Sequence, residues 1–333
     1  MCIIHTFLPP ERMFAMKAAV VRALGAAPVL ADVPEPAPAN GEVVIHMTAA
    51  ALSPVTRSRA SGAHYSSCGR FPFVAGIDGV GRLDDGRRVY VFLPTPPHGA
   101  MAERTVTKAA NLIPVPDGLD DVTAAALANP GMSSWMALTE RARFHPGETV
   151  LINGATGSAG RLAVQIARAM GAGRVIATGR NPEVLTDLSG LGADVVVPLT
   201  GDGLDGRFQD VMADGVDVVL DYLWGPYAEQ LLIAAARAGP EGRAVRFVQI
   251  GSASGGDITL PSAVLRSSSI ELTGSGLGSV PLERLPKAVE ALFQAAAANG
   301  FRIATQAVPL TQVEEAWGAP EDGRRIVFTM DAG

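Results

Sequence analysis

The chain has 333 residues, 48% hydrophobic and 18% charged, with a net charge of −6 at pH 7 and a pI near 5.4. That length suits about two domains with sizeable cores. The acidic balance gives no electrostatic case for nucleic acid, and no run reaches the roughly 18 apolar residues of a membrane span.

The first strand is expected at 17–21, so residues 1–15 read as an extension with little structural role. They show no basic region followed by an apolar core and a small-residue cleavage site. A secretory signal is not expected, and a cytoplasmic location follows. Cys2 and Cys68 are the two cysteines and make no disulfide framework. Between 16 and 125, short apolar runs recur between Pro and Gly turns, at 17–21, 42–47, 76–81, 88–92 and 102–106. That spacing predicts a small barrel-like antiparallel domain.

From 126 to 280 strands and helices alternate. Strands are expected at 150–152, 175–178, 195–197, 216–220, 246–250 and 270–273. This rhythm predicts an α/β fold, a doubly wound parallel sheet with helices on both faces. The tail predicts a helix over 282–298, a strand over 307–310, a helical 313–317 and a last strand over 325–329. It is expected to fold back onto the first domain.

The most specific stretch is 150–180. An apolar strand (Val150, Leu151, Ile152) enters a turn carrying Gly154, Gly157 and Gly160. A helix follows with Leu162, Ala163, Ile166, Ala167 and Met170 at helical spacing. A second apolar strand completes a βαβ unit. A pyrophosphate needs backbone N–H groups and the positive end of a helix dipole, and glycine lets the backbone approach it. The expected contacts are Gly154, Thr156, Gly157, Ser158, Ala159 and Gly160. The spacing G-x-x-G-x-x-G departs from G-x-G-x-x-G by one displaced glycine, with Ala155 in the altered register.

An NAD site usually ends the second strand with Asp or Glu, which bonds the ribose 2′-hydroxyl. Here Gly179, Arg180 and Asn181 stand instead. No carboxylate repels a 2′-phosphate, and a guanidinium is available to bind one. NADPH is therefore the expected cofactor; a solvated surface role for Arg180 is the alternative.

With MKAAVV, AALSPVTRSRASG, PFVAGIDGVG, GAMAERTVTKAANLIPVP, AAALANPGMSSWMAL, HPGETVLINGATGSAG and GRRIVFT in this order, the chain resembles the medium-chain dehydrogenase/reductase superfamily. The similarity is to its zinc-independent quinone oxidoreductase branch and covers residues 16–330. It implies a GroES-like β-barrel catalytic domain over 16–125, completed by 281–333, and an inserted Rossmann NADP-binding domain over 126–280. It also implies an active site between them and a homodimer paired through the strand at 270–273. The family's first zinc-ligand region reads Leu52-Ser53-Pro54-Val55, and its Gly-His-Glu position reads Gly76-Ile77-Asp78. No metal is therefore expected, an unusual site of Cys68, Asp78 and His98 being the alternative. Without a Lewis acid, hydride transfer from NADPH to a small-molecule quinone or enone remains.

Tyr65 stands where related reductases carry a cleft tyrosine that hydrogen-bonds the acceptor oxygen or donates a proton; a loop tyrosine is the bland reading. His64 beside it reads as a surface loop histidine. Ser53 occupies a position where the branch often has Asn and is a candidate for bonding the substrate carbonyl or the nicotinamide ribose. Asn129-Pro130 are expected to precede the helix leading into the Rossmann domain, with Asn129 near the nicotinamide and Ser133 starting the helix. An Asn-Pro here is similar to that of 2-enoyl thioester reductases. Gly251 and Ser252 follow the fifth strand and Ser275 the sixth, where open sheets bind ligands. Arg324 and Arg325 sit where the family has Gly-Lys, and one of them, Arg325, is expected at the cofactor. Asp217 and Asp221 read as structural. Two rival functions are an enoyl thioester reductase using Arg57, Arg59 and Arg70 for a carrier phosphate, and a weakly catalytic NADPH-binding redox sensor.

Overall fold

The computed structural model describes residues 15–63, 67, 69–319 and 323–330. The chain divides into two compact units. One is built from the described residues of Met1–Val115, Gln306–Pro320 and Ile326–Gly333, the other from those of Pro116–Thr305 and Glu321–Arg325.

The first unit opens with β1 (Ala15–Val21), which pairs antiparallel with β2 (Val29–Pro34) in the register Ala15↔Pro34 to Val20↔Val29. Next come the long β3 (Glu42–Ala51), the short helix α1 (Pro54–Ala60), β4 (Phe73–Val74), β5 (Asp78–Arg82), β6 (Arg88–Phe92), β7 (Arg104–Lys108) and β8 (Leu112–Pro114). β4 extends the small sheet as β2-β1-β4. β3 is long enough to pair with both β5 and β7, so it is the spine of the larger sheet. Ile45, Met47, Val91, Met101 and Phe328 are buried together beneath it.

Neither β2 nor α1 is expected from the apolar runs. The α1 signal is local: Ser53 accepts a hydrogen bond from Thr56 N, and Pro54 sits at the start of the helix. Both are standard helix-start features.

The second unit begins with α2 (Asp121–Met136), whose first turn is capped by the Asp120 carboxylate on Thr123 N. The alternation follows as β9 (Thr149–Asn153), α3 (Ser158–Ala169), β10 (Arg174–Gly179), α4 (Pro182–Gly190), β11 (Val195–Pro198), α5 (Leu204–Ala213) and β12 (Val218–Asp221). It ends with α6 (Gly225–Ala238), β13 (Val245–Gln249), α7 (Ser262–Arg266), β14 (Ile270–Gly274) and α8 (Leu285–Asn299). The sheet order is β11-β10-β9-β12-β13-β14, with every pair parallel. The chain winds outward from β9 in one direction, then returns to its other side at β12. That reversal is the topological switch point, where such sheets open a crevice at their carboxyl ends. Val150, Leu151, Ile152, Val218, Val219 and Leu220 are wholly buried, as strands covered on both faces require.

The return to the first unit begins at Gln306, later than the 281 expected from sequence. The reason is α8. Its buried Leu285, Ala288, Val289, Leu292, Phe293 and Ala296 form one helical stripe, and the helix packs on α2 and α3 of the Rossmann unit. Beyond it come β15 (Thr305–Pro309), α9 (Val313–Trp317) and β16 (Arg325–Thr329), which pairs antiparallel with β3. Among the described residues no helix is long and apolar enough to cross a membrane.

Phe293 is wholly buried at this seam. Phe293→Ala is expected to destabilise the second unit by about 3–5 kcal/mol, read by urea denaturation; a change under about 1 kcal/mol would show that α8 does not anchor there.

Candidate functional site

Three glycines divide the work of the β9–α3 turn. Gly154 has φ +92°, a conformation open to glycine and costly for other residues. Gly160 faces the turn so closely that a Cβ would lie 2.4 Å from Gly154 O and 2.5 Å from Ala155 Cα. Helix and turn can therefore touch only without a side chain there. Gly157 differs from both, because a Cβ would meet nothing within 4 Å. It is also the cap residue of α3 and offers no side chain to the helix's first N–H groups. Free N–H groups, a helix dipole and open space coincide at this point, the requirements of an anion site. Ala155 is wholly buried, and its N–H bonds Thr178 O at 2.7 Å.

The end of β10 touches this turn. A Cβ on Gly179 would stand 2.2 Å from Thr156 Cγ2. The next residue, Arg180, is exposed and has no hydrogen bond or ion pair among the described residues. Asn181 then caps α4 by accepting from Glu183 N and Val184 N.

Beneath the turn lies a buried polar chain that sequence reasoning does not assemble. Gly154 N–H donates to Thr178 Oγ1 at 3.1 Å, and Thr178 donates to Asn153 Oδ1 at 2.7 Å. Asn153 Nδ2 donates to Asp221 Oδ1 at 2.8 Å. Asp221 also accepts from Leu223 N and Trp224 N, each at 3.1 Å. Thr178, Asn153 and Asp221 are each 0% exposed and lie at or next to the last residue of the adjacent strands β10, β9 and β12. Burial raises the Asp221 pKa to about 6, and its hydrogen bonds only partly oppose this. Trp224 sits at φ +53°, a backbone state costing about 1–3 kcal/mol, and its N–H is held by Asp221. The signal available in the sequence is a polar residue at or next to the end of each of three apolar strands.

Tyr222 follows directly. Its hydroxyl lies 2.7 Å from Ser134 Oγ on α2, and burial raises its pKa to about 12. A Cβ on Gly251 would be 2.7 Å from Tyr222 O, so the loop after β13 packs on the loop after β12. Ser252 is exposed beside Gly251. Ser275 N bonds Gln249 O at 2.8 Å, which puts Ser275 on the same carboxyl edge. The edge thus gathers Gly154–Gly160, Gly179, Arg180, Gly251, Ser252 and Ser275.

Of the other candidates, Ser133 on α2 also hydrogen-bonds the Tyr222 hydroxyl. Asn129 and Pro130 lie inside α2 rather than before it, because Asp120 has already started the helix. Pro130 lacks an N–H, while its carbonyl accepts from Ser133 Oγ at 2.7 Å. Ser133 therefore belongs to the helix's later turns, and Asn129 is half-buried. Ser53 belongs to the first unit and is 0% exposed; its hydroxyl is engaged by Thr56 N and Thr56 Oγ1. Arg325 opens β16 and is 8% exposed. Tyr65, His64 and Cys68 lie outside the described residues. Among those described, no group of three His, Cys, Asp or Glu side chains is placed to hold a metal.

Residues 159–295 match the zinc-binding dehydrogenase domain family. A protein of Emericella nidulans, named "Probable NADPH-dependent quinone reductase", is 30% identical over 348 aligned positions, covering 90% of this chain and 96% of the relative. The chain belongs to the medium-chain dehydrogenase/reductase superfamily, in its quinone oxidoreductase branch. The quinone oxidoreductase of Thermus thermophilus, solved alone and with NADPH, superposes with a TM-score of 0.78 at 31% identity, over 94% of this chain and 100% of that one. A phenolphthiocerol/phthiocerol polyketide synthase of Mycobacterium tuberculosis is 31% identical over 228 residues. That match covers 64% of this chain but spans only 10% of the synthase chain's length. Like other members of its branch, this dehydrogenase/reductase has an antiparallel first sheet and a six-stranded parallel Rossmann sheet.

Asp221 generates a pH test. Its folded pKa of about 6 exceeds the ordinary 3.8, so between those values the folded state holds a proton that the unfolded state has released. Its contribution to stability therefore falls as pH rises from 3.8 through about 6, by on the order of 3 kcal/mol. Asp221→Asn should lose that slope. Urea unfolding at about pH 4.5 and pH 7 measures it, and an equal pH dependence in both proteins would refute the assignment.

Proposed function

We propose that this enzyme binds NADPH at the carboxyl edge of its Rossmann sheet and reduces a quinone or an α,β-unsaturated carbonyl without zinc. The observation that carries this is the pairing of Gly157, open and uncapping at the head of α3, with Arg180, unpartnered among the described residues at the end of β10. The first suits a pyrophosphate, the second a 2′-phosphate. Gly154, Thr156, Ser158, Ala159, Gly160 and Gly179 complete the cradle. Gly251, Ser252 and Ser275 face the nicotinamide end on this reading, and Arg325 supports the cofactor.

Bound NADPH supplies a hydride. The chain's own part is to hold donor and acceptor in register and to meet the charge that develops on the acceptor oxygen. Tyr65 and Asn129 are the proposed hydrogen-bond donors. Ser53 is proposed to act by ordering the start of α1, since its hydroxyl is already occupied. Ile77 and Ser53 fill positions where zinc-dependent relatives need N or S ligands, which supports reduction over alcohol oxidation. The synthase match favours a second reading, reduction of an enoyl thioester. β14 is the outer strand of its sheet, with Leu272 38% exposed, and is proposed as the homodimer seam.

Arg180→Ala is expected to raise the NADPH KM roughly 10–100-fold, the scale of a lost charge-assisted contact, and to leave NADH kinetics nearly unchanged. Equal effects on both cofactors in steady-state assays would remove the 2′-phosphate assignment. NADPH oxidation with benzoquinone, phenanthrenequinone, short enones and a crotonyl thioester, each with and without chelator, tests the reaction. Chelator-insensitive turnover is expected, and the preferred acceptor selects between the readings. Binding of NADPH without turnover of any acceptor would instead indicate a sensor.

Leu272→Lys should convert the dimer to monomer in light scattering. An unchanged mass would place the seam elsewhere.

A further inference from the structure

The first unit holds a cavity of about 50 Å³, lined from α1, from the segment around β4 and from the loop after β6. Its walls include Phe71 and Phe73, whose ring centroids are 5.6 Å apart, with Pro94 and Pro97. Among the described lining residues the polar side chains are Thr56, Ser67, Arg59 and His98. Arg59 is half-buried, and its guanidinium makes no hydrogen bond or ion pair among the described residues. Arg57 and Arg70, by contrast, have partners. His98 is also half-buried, and its ring makes no hydrogen bond among the described residues. Burial lowers the His98 pKa against the opposing charge of Glu42, so the ring is neutral near pH 7 and offers one N–H. Glu42 itself is engaged by Thr95 Oγ1 and Ala39 N and does not line the cavity. No Asp or Glu is among the described lining residues.

A guanidinium partly withdrawn from water beside apolar walls is costly without a counter-charge. This chain carries 33 acidic against 27 basic residues, yet none of the described acids answers Arg59. An anion from outside the chain would. A cavity that takes benzene measures about 150 Å³, so a ring does not fit inside this one, whereas a carboxylate does. A single planar fork of donors matches a carboxylate's two oxygens; a phosphate dianion would call for more than one free cation.

We propose that this cavity receives the carboxylate of an acidic small molecule with an apolar body, clamped by Arg59 and hydrogen-bonded by His98, and that the acceptor reduced by this enzyme carries such a group. The second half rests on the reductase reading above; the first half does not.

Two measurements separate them. Calorimetry with 2-naphthoate and its neutral counterpart 2-naphthamide, without NADPH, reads the cavity alone. Naphthoate is expected to bind at least tenfold more tightly than the amide. Arg59→Gln should abolish that preference, Arg59→Lys should keep part of it, and His98→Gln should weaken it several-fold. Equal binding of acid and amide, failure of naphthoate to bind, or a preference that survives Arg59→Gln would overturn the proposal.

NADPH oxidation with 3-benzoylacrylate and its methyl ester reads the acceptor. The ratio of kcat/KM for acid over ester should fall at least tenfold in Arg59→Gln. An unchanged ratio would overturn the acceptor assignment. Should naphthoate bind through Arg59 while no acceptor oxidises NADPH, the reductase reading falls and the carboxylate site stands. Melting temperatures of each variant within a few degrees of the parent protein exclude misfolding as the cause.

Discussion

Four groups at the carboxyl edge of the parallel sheet satisfy one another: the half-buried Gly154 N–H and the wholly buried Thr178 hydroxyl, Asn153 amide and Asp221 carboxylate. Leaving any one of them unpaired costs about 1–3 kcal/mol, more than a typical hydrogen bond contributes in net terms. The chain of bonds therefore constrains three strand ends together. It also holds two loops, since Asp221 fixes Leu223 N and Trp224 N while Thr178 fixes the first residue of the glycine turn. A carboxylate held this deep keeps its proton to about pH 6, because the bonds it accepts do not fully replace water.

The glycine turn depends on this foundation. Its three glycines answer three different demands. Gly154 permits a backbone state, and Gly160 permits a close approach of helix to turn. Gly157 leaves space unfilled. With one glycine displaced from the usual spacing, Ala155 takes a packed position with its N–H bonded to β10, and Gly154 takes the sharp turn.

In an acidic protein the informative charges are the cations without partners among the described residues. Arg180 and Arg59 belong to this group and stand out by where they sit, while Arg168, Arg243 and Arg246 pair with Asp194, Asp217 and Glu148. A paired arginine ties neighbouring segments together. An unpaired one beside an open turn, or in a cavity with no carboxylate among its described lining residues, has its fork of donors still available.

Much of the Rossmann unit was legible in the amino-acid order, because buried parallel strands must be continuous apolar runs and helices between them must carry one apolar stripe. All six strands, the glycine turn and the absence of a carboxylate at Gly179-Arg180 are local facts, each written within a short stretch of chain. What tertiary structure decided is what depends on partners distant in sequence. Helix α8 joined the second unit because its stripe meets α2 and α3, a choice its periodicity could not express. Pro130 sits within a helix because Asp120 had already set the start, and a proline costs one donor rather than the whole element when packing is strong. The bond from Asn153 to Asp221 spans 68 residues, and the polar chain it belongs to exists only once β9 lies between β10 and β12. Sequence alone thus determined the strands and glycine turn of the Rossmann unit and which cofactor chemistry they suit. Only the folded chain decided which polar groups must share one buried edge, since hydrogen-bond satisfaction is a property of neighbours in space.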